Sequence, residues 1–316
     1  MTSANPPADA EIAPPSLEEV SPGVFAYVQH DGSWCLNNPS FIAGDTGVTV
    51  VDAAFTERRT RDFKAAIERT SDQPISTLVS THHHADHTFG NFVFEPPVTL
   101  VAHENGREKI LGGADSAVEN SQGMFPHVDL GAVEIVAPSV TFEDAITLYS
   151  GDIRLECLYV GPAHTNNDVV IWIPEREVLI TGDIVFNNGT PLVLSGSITG
   201  WLDAIDGLRE LGAKTLIPGH GPVCGPELFD EMSAYLRFVQ AAARKGFQAE
   251  ATELEVAMDL DLGRFSEWLD QERIVGNLFR AYSELRGEPL SAPVDEAAAR
   301  AGMVTYNGGE PLRCLA

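Results

Sequence analysis

The chain has 316 residues, of which 44% are hydrophobic, so it is long enough to bury one large core and to carry an appendage. Its 20 basic and 46 acidic residues leave a formal net charge of −26, which repels phosphodiester backbones and argues against a nucleic-acid ligand. No apolar run approaches the ~20 residues that a membrane-spanning helix needs, so we expect no membrane partner.

The N-terminal stretch predicts a disordered arm over residues 1–19. Pro6, Pro7, Pro14 and Pro15 interrupt any periodicity there. The stretch lacks the basic region and the apolar run of a secretory signal, and the four cysteines of the chain are scattered without a close pair. These features predict a cytoplasmic protein with reduced thiols.

Strand and helix signals then alternate along the first half of the ordered sequence. Helix 55–70 is predicted from its apolar positions Phe63, Ala66 and Ile67 among charged residues. Residues 112–131 have no clear period and predict a loop or insertion, which is either a simple connection or a lid or wall of a functional site. The predicted strands are 24–28, 40–43, 48–51, 75–79 and 98–102, and a short helix is predicted over 103–111.

The second half repeats this order and then changes character. Strands are predicted at 133–136, 146–149, 153–160, 169–173 and 178–180, followed by a helix at 198–211 and a short strand at 215–217. Two runs of strands, each followed by helical sequence, predict an α/β fold of two packed sheets flanked by helices. After Pro226 the segments 228–247, 249–258 and 265–285 are amphipathic, so residues 229–316 are predicted to form a helical C-terminal extension.

The densest chemical signal is Thr81-His82-His83-His84-Ala85-Asp86-His87, with four imidazoles and a carboxylate in seven residues. Imidazole nitrogen and carboxylate oxygen are donors that zinc prefers. Residues at even spacing on an extended backbone point to one side, so His82 and His84 are expected to converge while His83 turns away. The buried strand before the segment argues against a merely solvated histidine-rich loop.

The pattern His82-x-His84-x-Asp86-His87 resembles the metallo-β-lactamase superfamily. The remaining motifs of that family follow in order as Gly161-Pro162-Ala163-His164-Thr165, Thr181-Gly182-Asp183 and Pro218-Gly219-His220-Gly221. The resemblance implies an αββα sandwich over residues 20–228. It also implies one metal ion held by His82, His84 and His164, a second held by Asp86, His87 and His220, and a bridge between the two formed by Asp183.

Such a pair of ions implies hydrolysis by a hydroxide generated between them. Two Zn²⁺ are the expected cofactors, and Mn or Fe also fits these donors. Asp86 is the expected catalytic residue, because an oxygen free of metal can orient the hydroxide or move a proton to the leaving group. Thr81, Thr165 and Asn166 are expected beside the ligands, and Asn187 and Asn188 are predicted substrate contacts.

Shorter motifs bear on the substrate. Residues 27–38, 88–92 and 222–227 look like the superfamily's cyclase/thioesterase members of aromatic polyketide assembly. That resemblance implies an acyl thioester substrate, free or bound to a carrier protein. An acidic carrier would need a basic patch, for which Arg58, Arg59, Arg61 and Lys64 on the first predicted helix are the candidates; the alternative for these residues is a solvated helix face. Hydrolysis of lactones or other small esters, and metal binding without catalysis, remain as alternatives. The C-terminal aromatic residues are compatible with a homodimer.

Overall fold

The computed structural model describes residues 12–94 and 96–316, and the strands within these ranges form two sheets. The first sheet contains, in spatial order, β1 (Ser16–Ser21), β2 (Val24–Val28), β3 (Ser40–Ala43), β4 (Val48–Val51), β5 (Ile75–Val79), β6 (Thr99–His103) and β7 (Val140–Phe142). The second contains, from its opposite edge, β8 (Ala145–Ser150), β9 (Ile153–Tyr159), β10 (Val169–Ile173), β11 (Val178–Phe186) and β12 (Thr215–His220). The predicted α/β class is confirmed.

Each sheet changes once from antiparallel to parallel strand pairing. Strands β1 to β4 pair antiparallel, whereas β4 to β7 pair parallel. In the second sheet, β8 to β11 pair antiparallel and β12 joins β11 in parallel. Because loops at the carboxyl ends of parallel strands share one edge of a sheet, the segments after β4 and β5 emerge side by side.

Helices pack on both sheets. They are α1 (Glu57–Thr70), α2 (Ala85–Thr88), α3 (Glu104–Gly113), α4 (Ala117–Met124), α5 (Ile198–Arg209), α6 (Leu228–Gln248), α7 (Glu253–Asp259), α8 (Arg273–Leu285) and α9 (Glu296–Tyr306). Of these, α1 packs on the first sheet, and α5, α6 and α8 pack on the second. Short 3-10 turns occupy Phe89–Val93, Pro174–Arg176 and Gly263–Glu267. Helix α1 begins where the Thr56 side chain accepts a hydrogen bond from the Arg59 amide, and its buried Phe63 and Ile67 face the first sheet.

Three hydrophobic clusters follow from this layering. One lies between the sheets and includes Val28, Ile42 and Ile171. A second joins the first sheet to α1. The third joins the second sheet to α5, α6 and α8, so the C-terminal helices share a core with the sandwich. This arrangement confirms the predicted αββα sandwich with a helical C-terminal part, whereas the domain boundary at residue 228 stays a prediction.

Three predicted segments differ from the structure. The arm predicted over 1–19 is wrong for residues 16–19, because Ser16–Ser21 pairs with β2 as an edge strand, and residues 1–11 lie outside the described ranges. The loop predicted over 112–131 contains the end of α3 and the whole of α4. Residues 133–136 are not a strand, because the open edge of β6 pairs with Val140–Phe142 instead.

On α1, the structure favours the solvated helix face over a basic docking patch. Arg59 is buried, and its guanidinium donates to the Asn37 carbonyl oxygen at 3.0 Å. Arg58, Arg61 and Lys64 each face an acidic side chain one turn along the helix. This face of α1 therefore offers little uncompensated positive charge to a partner. Among the described residues, no helix is long and apolar enough to cross a membrane.

Candidate metal centre

The histidine-rich segment lies between the end of β5 and the start of α2. The backbone bends at residues 81–83, and His84, which is extended with φ −62° and ψ 151°, leads into the helix that carries Asp86 and His87. The ring centroids of His82 and His84 lie 4.7 Å apart, and the His83 ring lies 4.7 Å from His84 and 6.5 Å from His82. His83 nevertheless lies outside both ligand groups, and its Nδ1 is 2.9 Å from Nδ2 of Asn167.

The structure brings all seven predicted ligands together in two adjacent groups. The donor atoms within each group lie within 4.8 Å of one another. The first group draws His164 from the loop between β9 and β10, and the second draws His220 from the last residue of β12. The first group is His82, His84, His164 and Asp183, and the second is Asp86, His87 and His220.

Asp183 on β11 lies between the two groups. Its Oδ2 is 3.4 Å from Nε2 of His164 and 3.6 Å from Nε2 of His220. Its Oδ1 is 3.2 Å from Nε2 of His87. One carboxylate thus faces both sets of imidazoles, which is the position that a bridging ligand needs.

The orientation of the imidazoles fits metal ligation. His87 Nδ1 lies 2.8 Å from Asp52 Oδ2, and the Nδ1 atoms of His164 and His220 lie 2.6 Å and 3.1 Å from backbone carbonyl oxygens. A ring that donates from Nδ1 leaves the lone pair of Nε2 free for a cation. Among the described residues, the buried Nε2 atoms of His82 and His87 have no hydrogen-bond partner. A buried polar atom without a partner is costly, and a bound cation would satisfy both nitrogens.

Two carboxylates that support these imidazoles were missed in the sequence. Asp52 binds His87 and also accepts from the Thr81 amide and hydroxyl, each at 2.7 Å. Asp168 accepts from the Thr165 amide and hydroxyl and thereby shapes the loop that carries His164. A signal for Asp52 exists, because it directly follows β4 and parallel pairing places it beside the end of β5.

The predicted neighbours of the ligands have different roles. The Thr81 hydroxyl lies 3.1 Å from His82 Nδ1, as expected of a residue that orients a ligand ring. Thr165 instead binds Asp168, and the side-chain oxygen of Asn166 accepts from Asn167.

Charge differs between the two groups of histidines. Burial lowers the pKa of His82 and His84 well below the ordinary value and that of His164 to about 4, so these rings are neutral. Burial opposes protonation of His87 and His220 too, but the Asp183 carboxylate outweighs it. The pKa of His87 is raised well above its ordinary value, and the pKa of His220 is raised to about 9. Cations entering the second group therefore compete with protons. Burial and then the positive charge of Lys109 lower the pKa of His83 to about 3.

Gly219 allows the close approach of β11 and β12 at the centre. A Cβ atom at this position would overlap Oδ1 of Asp183. Any larger residue would displace the carboxylate that faces both groups of imidazoles. The glycine before the last histidine is therefore required by the geometry of the site.

A cavity of about 780 Å³ opens over the two groups. Asp86, Asp183 and His220 line its floor, and α3, α4 and α9 line its upper walls. One side is an aromatic wall, which we define as Trp34, Phe55, Phe89 and Phe125. Phe125 packs edge-on against Phe55 with centroids 6.0 Å apart, so the segment predicted as a loop contributes directly to this wall.

The predicted substrate contacts Asn187 and Asn188 do not line the cavity. The Asn187 side chain donates to the Pro222 carbonyl oxygen at 2.9 Å. Asn188 adopts a left-handed conformation with φ 68°, and its carbonyl oxygen accepts from the Leu269 amide. Both residues shape the turn after β11 instead of facing a ligand.

Comparison with protein families agrees with this geometry. The model of the metallo-beta-lactamase superfamily matches residues 32–220, which contain both groups of candidate ligands. The chain belongs to the metallo-β-lactamase superfamily.

Curated members of this superfamily that resemble the chain have diverse substrates. A linear primary-alkylsulfatase from Pseudomonas sp. (strain ATCC 19151) is 26% identical over 226 residues, covering 60% of this chain and 43% of the relative. The alpha subunit of a 2,4-dinitroanisole O-demethylase from Nocardioides sp. (strain JS1661) is 27% identical over 182 residues, covering 57% and 51%. The chain therefore spans about half the length of these two relatives. A type 2 metallo-beta-lactamase from Bacteroides fragilis is 26% identical over 225 residues, covering 68% and 82%.

Solved structures of the superfamily share the fold. The stereoselective inverting sec-alkylsulfatase Pisa1 from Pseudomonas sp. superposes with a TM-score of 0.68 at 21% identity, covering 85% of this chain and 50% of that one. A metallo-beta-lactamase from Pontibacter korlensis gives a TM-score of 0.57 at 22% identity, covering 71% and 99%.

Proposed function

We propose that this chain is a dinuclear metal-dependent hydrolase of a thioester or ester that carries an apolar acyl group. The observation that supports this proposal is the continuity of the cavity, in which Asp86, Asp183 and His220 share one space with the aromatic wall. A reactive carbonyl at the floor would leave its acyl group against Phe55 and Phe125. Apolar pockets of this size hold small molecules of drug-like dimensions.

Each part of the site has a distinct role in this reaction. Bound in the two donor groups, divalent cations would lower the pKa of water and polarise the substrate carbonyl. The imidazole and carboxylate donors suit Zn²⁺ best, and Mn or Fe also binds them. Asp183 fixes the spacing of the two groups because its oxygens face both.

Asp86 is the proposed proton carrier. Burial opposes its ionisation, but the charges of His87 and His220 outweigh burial and lower the pKa of Asp86. Its carboxylate is thus ionised and lines the cavity, with Oδ2 3.3 Å from His220 Nε2. An ionised carboxylate at this position can accept a proton from water and deliver it to the leaving group. The aromatic wall holds the acyl group and excludes bulk water from the carbonyl.

A small-molecule thioester is a better candidate than one on a carrier protein. Docking of an acidic carrier needs a basic surface. On α1, however, Arg59 is buried, and Arg58, Arg61 and Lys64 each pair with an acidic side chain. Ring closure of a polyketide chain would use the same carbonyl activation without adding water to the acyl bond, so a cyclase reaction is a separate alternative at this site.

A second candidate is hydrolysis of an alkyl sulfate ester. The alkylsulfatase relative, at 26% identity over 226 residues, favours it. An alkyl chain would occupy the same apolar space as an acyl chain, so the two candidates differ only in the group at the floor of the cavity.

The test compares substrates that share one chain length. Protein loaded with Zn²⁺, Mn²⁺ or Fe²⁺ would be assayed for metal content and for hydrolysis of a decanoyl thioester, 4-nitrophenyl decanoate, a δ-lactone with a pentyl side chain, decyl sulfate and a β-lactam. We expect thioester or ester hydrolysis that is lost in His220→Gln and retained in His30→Gln, a matched change at an exposed histidine. Turnover of decyl sulfate alone would favour the second candidate, and metal uptake without any turnover would indicate a non-catalytic metal-binding protein.

A further inference from the structure

His83 is the histidine of the motif that lies outside both candidate ligand groups. Its Nδ1 is 2.9 Å from Nδ2 of Asn167, and an amide nitrogen only donates. His83 Nδ1 is therefore the acceptor, and the ring proton is on Nε2. No described residue forms a hydrogen bond with Nε2, and the ring lines the cavity. Two further hydrogen bonds hold Asn167 in place. Its backbone N–H donates to Thr165 Oγ1 at 3.1 Å, and its side-chain Nδ2 also donates to Asn166 Oδ1 at 2.8 Å.

Lys109 lies on α3 and lines the same cavity as His83. It is exposed, and no hydrogen bond or ion pair is formed with it by the part of the chain that the structure describes. The other basic side chains at the cavity differ in this respect. Arg273 pairs with Asp270 at 3.0 Å, and Arg300 with Glu296 at 3.3 Å.

An Nε2–H donor and an ammonium group without a partner among the described residues therefore line the same cavity beside the candidate metal centre. The neighbouring acid Glu108 does not form an ion pair with Lys109, as expected for adjacent helical residues that point in different directions. Neither Nε2–H nor an ammonium group can accept a hydrogen bond, so the pair selects an acceptor. A neutral carbonyl oxygen would satisfy His83 alone, whereas an anionic oxygen can use both groups.

We propose that His83 and Lys109 form a subsite for an anionic oxygen on the substrate, away from the bond that is cleaved. This inference rests on the proposed function, because it places the cleaved bond at the two donor groups. The anion is either a carboxylate at the far end of the acyl group or a phosphate on the leaving group. Both offer the same chemistry to the subsite.

Binding of stable analogues tests the subsite without turnover. Calorimetry on metal-loaded protein would compare the N-butyl amide of decanoic acid with the mono-N-butyl amide of decanedioic acid, which adds a terminal carboxylate. A second pair would be S-octyl pantetheine with and without its 4′-phosphate. We expect the anionic member of one pair to bind about 10-fold more tightly, the effect of one hydrogen bond to a charged group. The pair that shows this preference identifies the source of the anion.

Two variants link the preference to the two side chains. Lys109→Gln should abolish the preference for the anionic analogue, whereas Lys245→Gln, at another exposed lysine that lies outside the cavity, should leave it intact. Asn167→Asp places an acceptor opposite Nδ1, which moves the ring proton and turns Nε2 into an acceptor that repels an anion. It should abolish the preference at unchanged metal content.

Equal binding of both members in both pairs would overturn the subsite, as would a preference that survives both Lys109→Gln and Asn167→Asp. Hydrolysis is measured separately with the thioester and ester panel. Failure of that panel would contradict the proposed function, while the binding data still decide whether the anion subsite exists.

Discussion

Replacement of Asp52 by asparagine should weaken metal binding without unfolding the protein. Asp52 has a left-handed backbone with φ 60°, which asparagine also tolerates, so the turn after β4 should persist. The new amide oxygen can still accept from the Thr81 amide. The new amide nitrogen would face His87 Nδ1, which now lies 2.8 Å from a carboxylate oxygen.

The magnitude follows from the tautomer of His87. An amide that donates to Nδ1 moves the ring proton to Nε2, and a protonated Nε2 cannot bind a cation. Loss of a carboxylate partner to a ligand imidazole typically lowers metal affinity by about 10- to 100-fold. This corresponds to about 1.4 to 2.8 kcal/mol of binding free energy for the ion held by Asp86, His87 and His220.

The assay is competition with a chromogenic chelator, which reports the affinities of the two ions in turn. We expect Asp52→Asn to lower the affinity for the ion held by Asp86, His87 and His220. The affinity for the ion held by His82, His84 and His164 should be retained. Asp72→Asn makes the same chemical change at an exposed position and should leave both affinities unchanged. Wild-type affinity for both ions in Asp52→Asn would refute the argument that this carboxylate sets the tautomer of His87.

Three further outcomes are expected. Gly219→Ala should lower metal content at equilibrium by at least about 10-fold, because its Cβ displaces the Asp183 carboxylate. The control Gly207→Ala on α5 places its Cβ in open space and should bind metal normally. Equal metal content of the two variants in mass spectrometry would contradict this. Metal at 100 times its dissociation constant should raise the free energy of unfolding by about 2.7 kcal/mol in urea titrations, and a chelator should reverse the gain. Burial raises the pKa of Asp168 to about 7 in the folded protein. Between about pH 4 and 7 this carboxyl ionises more readily in the unfolded chain, so the wild type should lose stability relative to Asp168→Asn as the pH rises through this range. Parallel pH profiles of urea unfolding for the two proteins would exclude this.

The donor set could be predicted because its signal is local. His82, His84, Asp86 and His87 lie within one turn-forming segment after β5, so four of the seven donors are close together in the sequence itself. His164 and His220 needed the family resemblance, because sequence spacing alone does not show that two remote loops meet. The fold class followed from the order of strand and helix signals.

What was missed depends on tertiary contacts. Helix α4 has no buried residue of its own and no clear period, so its presence follows from its position over the cavity. Arg59 belongs to a charged stretch of α1, yet its guanidinium is buried and donates a hydrogen bond to the Asn37 carbonyl oxygen. Asn187 follows the bridging aspartate closely, but its side chain is held by Pro222, and no local pattern reports that bond.

The two groups of donors take their side chains from both layers of the sandwich, since His82 and His87 follow β5 whereas Asp183 and His220 belong to β11 and β12. A cation bound by residues of both sheets would link the two layers of the sandwich. Addition of metal should then slow amide exchange in β5 and β12 together, because opening of either sheet at this point would break contacts with the bound cation.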